Sequence, residues 1–266
     1  MGSRKILSKI LSRWGLAVER STPAVLYSKT RFTVDFDFLV RCEIAHRGGA
    51  FSFVQVGAND GISRPDDLLA YVREFDATGV MVEPQPDVFK KLQHNYSDHP
   101  GVILLNKAIH RERTTMTLYR FNTEMLPDRS DYPLWATTNG MASFSRQHVL
   151  DHAKKLRLGA EVIQELAVEC ISEDDLLTHC DRSPVLLKID VEGYDYEILD
   201  ALNLDRFHPS IIRFENLHMT GRQYRSIIDI LSAAGYRFLS NEVNTTAYSP
   251  ARGKGMIDAG TDVGLL

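Results

Sequence analysis

The sequence predicts an α/β fold built on a doubly wound, mostly parallel sheet with helices on both faces, and three observations predict it. From residue 51 onward, short apolar runs alternate with stretches of helical periodicity, the pattern of a parallel sheet covered on both sides. The first of these runs, Phe53-Val54-Gln55-Val56, breaks into the glycine loop Gly57-Ala58-Asn59-Asp60-Gly61 ahead of a helical stretch. Such a loop brings backbone close to a ligand, and the N–H groups of the following helix start attract polar or anionic groups. The second run ends on Glu83, ~20 residues past the loop, where an acidic side chain in a doubly wound fold accepts hydrogen bonds from ribose hydroxyls.

Taken in order, residues 4–18 read as an amphipathic helix, with Ile6, Ile10, Leu11 and Trp14 on one side and Lys5, Lys9 and Arg13 elsewhere. It caps the domain or makes peripheral contact with anionic lipid, for which one short basic helix is marginal. Residues 34–46 space Phe36, Phe38, Leu39, Val40 and Ile44 as a second helix against the sheet edge, ended by Arg47-Gly48-Gly49. Strand 51–56 and the glycine loop lead to a helix over 66–75, where Pro65 suits the first turn and Asp66 and Asp67 suit the helix dipole. Strand 79–83, a helix from Pro86 to about Tyr96, and strand 102–106 follow, then a β segment at Met116–Tyr119.

Residues 120–145 carry Met125, Tyr132, Trp135, Asn139 and Met141 without regular pattern. A stretch of this length in a compact domain is a functional lid or locally disordered, and an acceptor-side lid is expected; Tyr132 and Trp135 either stack a sugar ring or pack the loop itself. The helix over 146–157 places His148 and His152 one turn apart. With no Glu-x-x-His context and no further ligand nearby, a solvated helix face is expected there rather than a metal site. Strand 161–170 and a short helix begun by Ser172, Asp174 and Asp175 precede Val185-Leu-Leu-Lys-Ile-Asp190-Val-Glu192-Gly193-Tyr194. Here an apolar strand runs into two carboxylates, which either cap the next helix or stand beyond the strand's carboxyl end, where open α/β sheets bind ligands.

Composition excludes several classes. The chain has 266 residues, 44% of them hydrophobic, enough for one large domain with a full core. Thirty-one Lys+Arg against 35 Asp+Glu give a net charge of −4, so no general basic surface for nucleic acid is expected. Cys42, Cys170 and Cys180 are widely spaced without a CxxC, which fits a reducing compartment. No apolar run reaches the roughly 20 residues of a membrane span, and without a signal-peptide pattern at the N-terminus a cytoplasmic location is expected. The glycine loop lacks the middle glycine of Gly-x-Gly-x-x-Gly, which disfavours a nicotinamide dinucleotide and an oxidoreductase. A ribose ligand without pyrophosphate fits better, and S-adenosyl-L-methionine is such a ligand, its amino-acid end along the loop and its ribose on Glu83.

Three motifs, Phe-Val-Gln-Val-Gly-Ala-Asn-Asp-Gly at 53–61, Val-Met-Val-Glu-Pro-Gln-Pro at 80–86 and Leu-Lys-Ile-Asp-Val-Glu-Gly-Tyr-Asp at 187–195, resemble in order and spacing those of FkbM-family S-adenosylmethionine-dependent methyltransferases. Asn106-Lys-Ala-Ile109, Met141-Ala-Ser-Phe144 and Ile212-Arg-Phe-Glu-Asn216 support the likeness, which covers about residues 50–240. One departure is Gln55, where many members carry Asp.

The resemblance implies a Rossmann-like class I methyltransferase fold with a seven-stranded sheet of order 3-2-1-4-5-7-6. Strand 211–216, a helix near 221–234 and a hairpin of 236–239 with 243–248 agree with its second half. The organisation expected is an N-terminal helical extension (1–48), a methyltransferase domain (49–250) with the lid insert, and a C-terminal tail (251–266). The resemblance also implies methyl transfer to a hydroxyl of a sugar, a glycan or glycolipid precursor, or a natural product; a non-catalytic module that binds an adenosine ligand on the same fold is the alternative. Its cofactor-binding candidates are Gln55, Gly57, Ala58, Asn59, Gly61, Glu83, Pro84, Asn106, Ala108, Asp190 and Glu192. Hydroxyl methylation needs a base near the methyl group; the candidates are Asp190 first, then Glu215 and His218, with Asn216 beside them. Mg²⁺ on Asp190, Glu192 and Glu215 is conceivable chemistry for oxygen ligands, but no metal is expected.

Overall fold

The computed structural model describes residues 16–18, 26–28, 36–63, 68–128, 130–138 and 140–249. Strands β1 (Leu16–Val18) and β2 (Leu26–Ser28) form an antiparallel pair, with Leu16 opposite Ser28. The helix expected over 4–18 therefore does not reach residue 18: the backbone of Leu16-Ala17-Val18 is paired across to residues 26–28 instead of along a helical turn. The rest of that stretch, the tail 251–266 and residues 64–67, with Pro65, Asp66 and Asp67, lie outside the described residues. Among the described residues no helix is long and apolar enough to cross a membrane.

Helix α1 (Phe36–His46) is the second expected helix. It lies over the sheet's centre rather than its edge, because its apolar stripe needs a face to cover: Leu39, Val40 and Ile44 join Phe51, Phe53, Leu186 and Ile211 in one cluster. The chain then runs through β3 (Ala50–Val56), α2 (Leu69–Glu74), β4 (Asp76–Val82), α3 (Pro86–Asn95) and β5 (Val102–Leu105). After an excursion it returns through β10 (Leu186–Ile189), α7 (Asp195–Ala201), β11 (Ile211–Glu215), α8 (Gly221–Ala233), β12 (Arg237–Ser240) and β13 (Asn244–Tyr248). These seven strands form one sheet of order β5-β4-β3-β10-β11-β13-β12, which is 3-2-1-4-5-7-6 when only its own members are counted along the chain. The five from β5 to β11 are parallel, and β13 runs antiparallel to both β11 and β12.

Alternation along the strands divides the core in two. Val54, Val56, Val80, Val82, Leu187, Ile189, Ile212 and Phe214 pack beneath α7 and α8, against Ile198, Leu199, Ile227 and Leu231. Phe51, Phe53, Met81, Leu186 and Ile211 pack on the other face beneath α1, α2 and α3. Full burial of one such side chain contributes about 1.5–3 kcal/mol, so strands covered on both faces read in sequence as unbroken apolar runs.

The excursion between β5 and β10 departs most from expectation. It forms a second sheet of order β6-β9-β7-β8 from β6 (Ala108–Ile109), β7 (Thr115–Phe121), β8 (Ala142–Ser143) and β9 (Ile163–Ile171). Of residues 120–145, expected as an irregular lid, 120–121 and 142–143 belong to this sheet, and the described residues between them form turns and short helices. The alternation that begins at Met116 continues through Phe121, and β7 pairs with β9 along seven residues. Phe121, Ala136, Met141, Val149 and Ala153 make a satellite core that also takes up Tyr132 and Trp135; those aromatics pack their own segment. Helix α4 (Leu134–Thr137) and helix α5 (Arg146–Lys155) close it, and helix α6 (Glu173–Leu176), begun by the Ser172 capping box, leads back toward the main sheet.

A buried polar network fixes α1 to the starts of β10 and β11. Glu43 is fully buried and accepts from Arg47 Nε at 2.8 Å and from Ser210 Oγ at 2.7 Å, while Arg47 also donates to Ser183 O and Ser210 Oγ, each at 2.7 Å. Removing one partner of such a pair leaves a buried charge uncompensated. Arg47→Ala is expected to lower stability by about 3 kcal/mol, read as a shift in the urea midpoint; an unchanged midpoint contradicts this assignment.

Candidate active site

The glycine loop is shaped by close backbone approach. Gly57 has φ 81°, and a Cβ placed on it would lie 1.9 Å from the carbonyl oxygen of Asp190 on the neighbouring strand end. Its N–H and that of Ala58 both donate to Val82 O at 3.0 Å. Asn59 follows with φ 52°, in the left-handed region that Asn tolerates better than most residues. Gly61, φ 76°, has a different reason: a Cβ there would meet the side chains of Tyr96 at 2.4 Å and Leu92 at 2.8 Å.

Glu83 ties this loop to the next one. It is only 3% exposed; Oε2 accepts the Asn59 N–H and Oε1 the Gln85 N–H, each at 2.9 Å. Asn106 Nδ2 in turn donates to Glu83 O at 2.8 Å and Pro84 O at 3.1 Å. The loops after β3, β4 and β5 are thus held at one end of the sheet.

They border an open cleft of roughly 570 Å³. Of the residues singled out from sequence, Gly57, Asn59, Glu83, Pro84, Ala108, Asp190 and Glu192 line it. Gln55, Ala58, Gly61 and Asn106 do not. Gln55 is 1% exposed within β3, in register with Met81 and Lys188, and its Oε1 has no hydrogen-bond partner among the described residues. Ala58 is core, Gly61 packs on Tyr96, and Asn106 braces the Glu83 loop. The rest of the lining includes Leu118, Gly140, Ala142 and Phe144 of the second-sheet region with Tyr194 and Ile198, the Phe144 and Tyr194 rings meeting edge to face at 5.1 Å. Ser143, within one of the motifs noted above, donates from Oγ to Glu192 O at 2.8 Å and so docks the second sheet onto the β10 loop. Arg120 makes a second link, from Nη1 to Asp87 Oδ1 at 2.6 Å and Gln85 Oε1 at 3.2 Å.

Beside Glu192 lies a cluster that the sequence did not disclose. His148 and His152, expected on a solvated helix face, are partly buried and turned toward His218, the His148 and His218 rings standing edge to face at 4.3 Å. The third partner missing from the local sequence comes from the β11 end, 66 residues beyond His152, which no helical spacing could reveal. Ser145 caps α5 by accepting the His148 N–H. Glu192 Oε2 is 3.9 Å from His148 Nε2 and 3.8 Å from His218 Nε2, and Glu215 Oε2 is 3.4 Å from His218 Nε2. Of the three base candidates, Asp190 is on the cleft wall, while Glu215 and His218 stand to its side behind Glu192.

Charge is tightly controlled here. Burial, then the charge of His148, pushes His218 down to about 4, and burial also lowers His152. Both imidazoles are neutral near pH 7. Burial, then the adjacent Asp190 charge, pushes Asp195 up to about 8. Asp195 Oδ2 accepts from Val191 N–H at 3.4 Å and Oδ1 from Glu215 N–H at 3.3 Å, joining the β10 loop to the end of β11.

The chain matches the methyltransferase FkbM domain over residues 55–238, from within β3 to within β12, and it belongs to that family. No curated protein matches it. Among solved structures, an O-methyltransferase from Bacillus cereus in complex with SAH is 9% identical, with 94% of this chain and 93% of that one covered at a TM-score of 0.38. The O-methyltransferase TomG from Streptomyces achromogenes, involved in tomaymycin synthesis and in complex with SAM, is 8% identical, with 94% and 91% covered at 0.38. A fibrillarin/Nop5p complex gives 12%, 88% and 97%, and 0.37.

Two measurements follow from this geometry. Gly57→Ala and Gly61→Ala each force a side chain into a left-handed backbone, at about 1–3 kcal/mol; Gly57→Ala adds a clash with fixed backbone, whereas Gly61→Ala meets only movable side-chain ends. Gly57→Ala is therefore expected to lower the thermal midpoint more, and the reverse order would contradict the loop description. The second concerns pH. Folded Asp195 keeps its proton up to about 8, while the unfolded residue loses it near 3.9, so between these values stability falls as pH rises, by at most about 1.4 kcal/mol per unit. His218, lowered to about 4 from roughly 6.5, acts oppositely, stability being lost as pH falls through that range. The two slopes oppose one another below about pH 6.5, and Asp195 acts alone from about 6.5 to 8. Denaturation at intervals across that window should show a decline that Asp195→Asn removes; a flat wild-type profile contradicts the assignment.

Proposed function

We propose that this chain is an S-adenosyl-L-methionine-dependent O-methyltransferase acting on a hydroxyl of a sugar, a glycan or glycolipid precursor, or a natural product. The observation that carries the reading is the convergence of Glu83, the Gly57–Asn59 backbone and Asp190 on one cleft that has no phosphate-binding glycine triplet. Glu83 suits ribose: its oxygens are oriented by two backbone N–H groups and each retains acceptor capacity for a hydroxyl. The loop backbone suits a polar amino-acid end, and Ala108, Ile109 and Leu118 offer an apolar surface to a purine.

When bound, the cofactor supplies an electrophilic methyl group that passes to the acceptor oxygen as its bond to the sulfonium sulfur breaks, leaving a neutral thioether. The chain's own residues must orient the acceptor and take its proton. Asp190, on the cleft wall beside the glycine loop, is assigned that proton. His218 is a poorer base because its depressed pKa reflects an imidazole that resists protonation. The carboxylates and imidazoles beyond Asp190 suit a neutral hydroxyl-rich acceptor, and two glutamates there disfavour a phosphate backbone.

Calorimetric titration with S-adenosylmethionine and S-adenosylhomocysteine tests the first step. Binding is expected for both, and Glu83→Gln should weaken it about 10–100-fold through loss of charged hydrogen bonds. Asp190→Asn should retain binding but lower methyl transfer to a responsive sugar or polyketide acceptor by about 10²–10⁴-fold. A folded chain that binds neither ligand would sink the proposal.

A further inference from the structure

We propose that His148, His218, Glu192 and Glu215 form a binding site for one divalent transition-metal ion, of the zinc type rather than magnesium, on the acceptor side of the cleft. The four side chains come from three separate segments, α5, the loop after β10 and the end of β11 with the turn that follows, and each segment is fixed independently. Ser145 caps the helix under His148, Ser143 holds the Glu192 carbonyl, and Asp195 holds the Glu215 N–H. Glu192 itself has φ 53°, with Gly193 at φ 96° behind it. A glutamate in the left-handed region is a strained arrangement that persists only where the surroundings impose it.

The distances discriminate between ligation and simple hydrogen bonding. Imidazole–carboxylate hydrogen bonds run about 2.7–3.2 Å. Here the nitrogen–oxygen separations are 3.4, 3.8 and 3.9 Å, the two to Glu192 too long for those bonds and the one to Glu215 at their limit. A tetrahedral ion with bonds of about 2.0–2.1 Å holds its ligand atoms about 3.3–3.4 Å apart; the three pairs exceed that by at most about half an ångström, and His148 reaches the set through Glu192. The ligating atoms of Glu192, Glu215 and His218 all lie within 4.8 Å of one another. His148 Nε2 is buried without a hydrogen-bond partner, as an imidazole kept for an ion would be.

The donor set chooses the metal. Imidazole with carboxylate suits zinc, manganese or iron, whereas magnesium prefers oxygen ligands and retained water. His148, His152 and His218 also offer ligand atoms within 4.8 Å of one another, but His152 is assigned no bond to the ion because its Nδ1 contacts His148 O at 3.1 Å and its Nε2 lies 3.4 Å from Lys155 Nζ.

Glu192 belongs both to this cluster and to the cleft wall, so an ion held here by four side chains can take the acceptor oxygen by expanding to a fifth position and make its proton easier to remove. That role rests on the methyl-transfer reading; the metal site does not.

The test uses the full chain, freed of metal with a chelator and then titrated separately with Zn²⁺, Mn²⁺ and Mg²⁺ by calorimetry, with S-adenosylhomocysteine binding measured in parallel. One equivalent of Zn²⁺ is expected, with Mg²⁺ at least about 100-fold weaker. His148→Ala and His218→Ala should each weaken Zn²⁺ by about 10-fold or more while S-adenosylhomocysteine binding persists, and His152→Ala should leave Zn²⁺ affinity within about threefold. Should either alanine variant misfold, Co²⁺ added to the unmutated chain provides an independent reading, a visible absorption band being expected. No Zn²⁺ binding by a chain that binds S-adenosylhomocysteine overturns the metal site alone. Equal affinity for Mg²⁺ overturns the metal class, and Zn²⁺ binding without S-adenosylhomocysteine binding overturns the acceptor role.

Discussion

A buried carboxylate holding two loops at once is the constraint on which the rest of the cleft depends. Glu83 accepts the N–H of Asn59 from the loop after β3 and that of Gln85 from its own loop, and a carboxylate buried to this degree has to be satisfied by such bonds. The same arrangement fixes the left-handed Asn59 and, through it, the position of Gly57, which the Asp190 carbonyl approaches too closely for any side chain. Three strand ends are thereby locked into one rim. A ligand group reaching Glu83 meets acceptors already oriented, so little reorganisation is needed when it binds.

The second sheet gives this rim its other side. β7 and β9 carry their own small apolar clusters, yet they are docked to the main sheet through polar contacts, Ser143 to Glu192 and Arg120 to Asp87 and Gln85. The glycine-loop side of the cleft therefore belongs to the main sheet and part of the remaining wall to the inserted one. Under the proposed methyl transfer, variation in the insert would change what is accepted while the glycine loop and Glu83 stay as they are, the general division of labour between a scaffold and its loops.

The parts legible in sequence were those governed by short-range pattern. Strands covered on both faces announce themselves as apolar runs, and the glycine loop, Glu83 and Asp190 lie at strand ends where the fold class puts a site. Strands over 116–119 and 161–170 were legible in sequence, but their union in a separate sheet was missed because its other members, β6 and β8, are two residues each and the β7–β9 pairing joins residues more than 40 apart. The histidine cluster was missed for a different reason. His148 and His152 show helical spacing, but what brings them to His218 is the return of the chain along β11, and sequence spacing carries no trace of it. Gln55, within a motif assigned to the cofactor, is buried in β3 on the sheet face it shares with Phe53 and is not among the residues lining the cleft.

Beside the cleft, buried and half-buried ionisable groups crowd together, with Asp190, Glu192, Asp195 and Glu215 against His148, His152 and His218. Burial resolves the crowding by keeping His218 neutral and Asp195 protonated, which limits the net charge there. The central claim is that the rim held by Glu83 is the cofactor site and that this ionisable side faces the acceptor. A crystal structure with bound S-adenosylhomocysteine tests it most directly. The account predicts both ribose hydroxyls within about 2.6–3.2 Å of the Glu83 carboxylate and the thioether sulfur directed toward Asp190 and Glu192; a ligand bound elsewhere, or with its ribose away from Glu83, would contradict it.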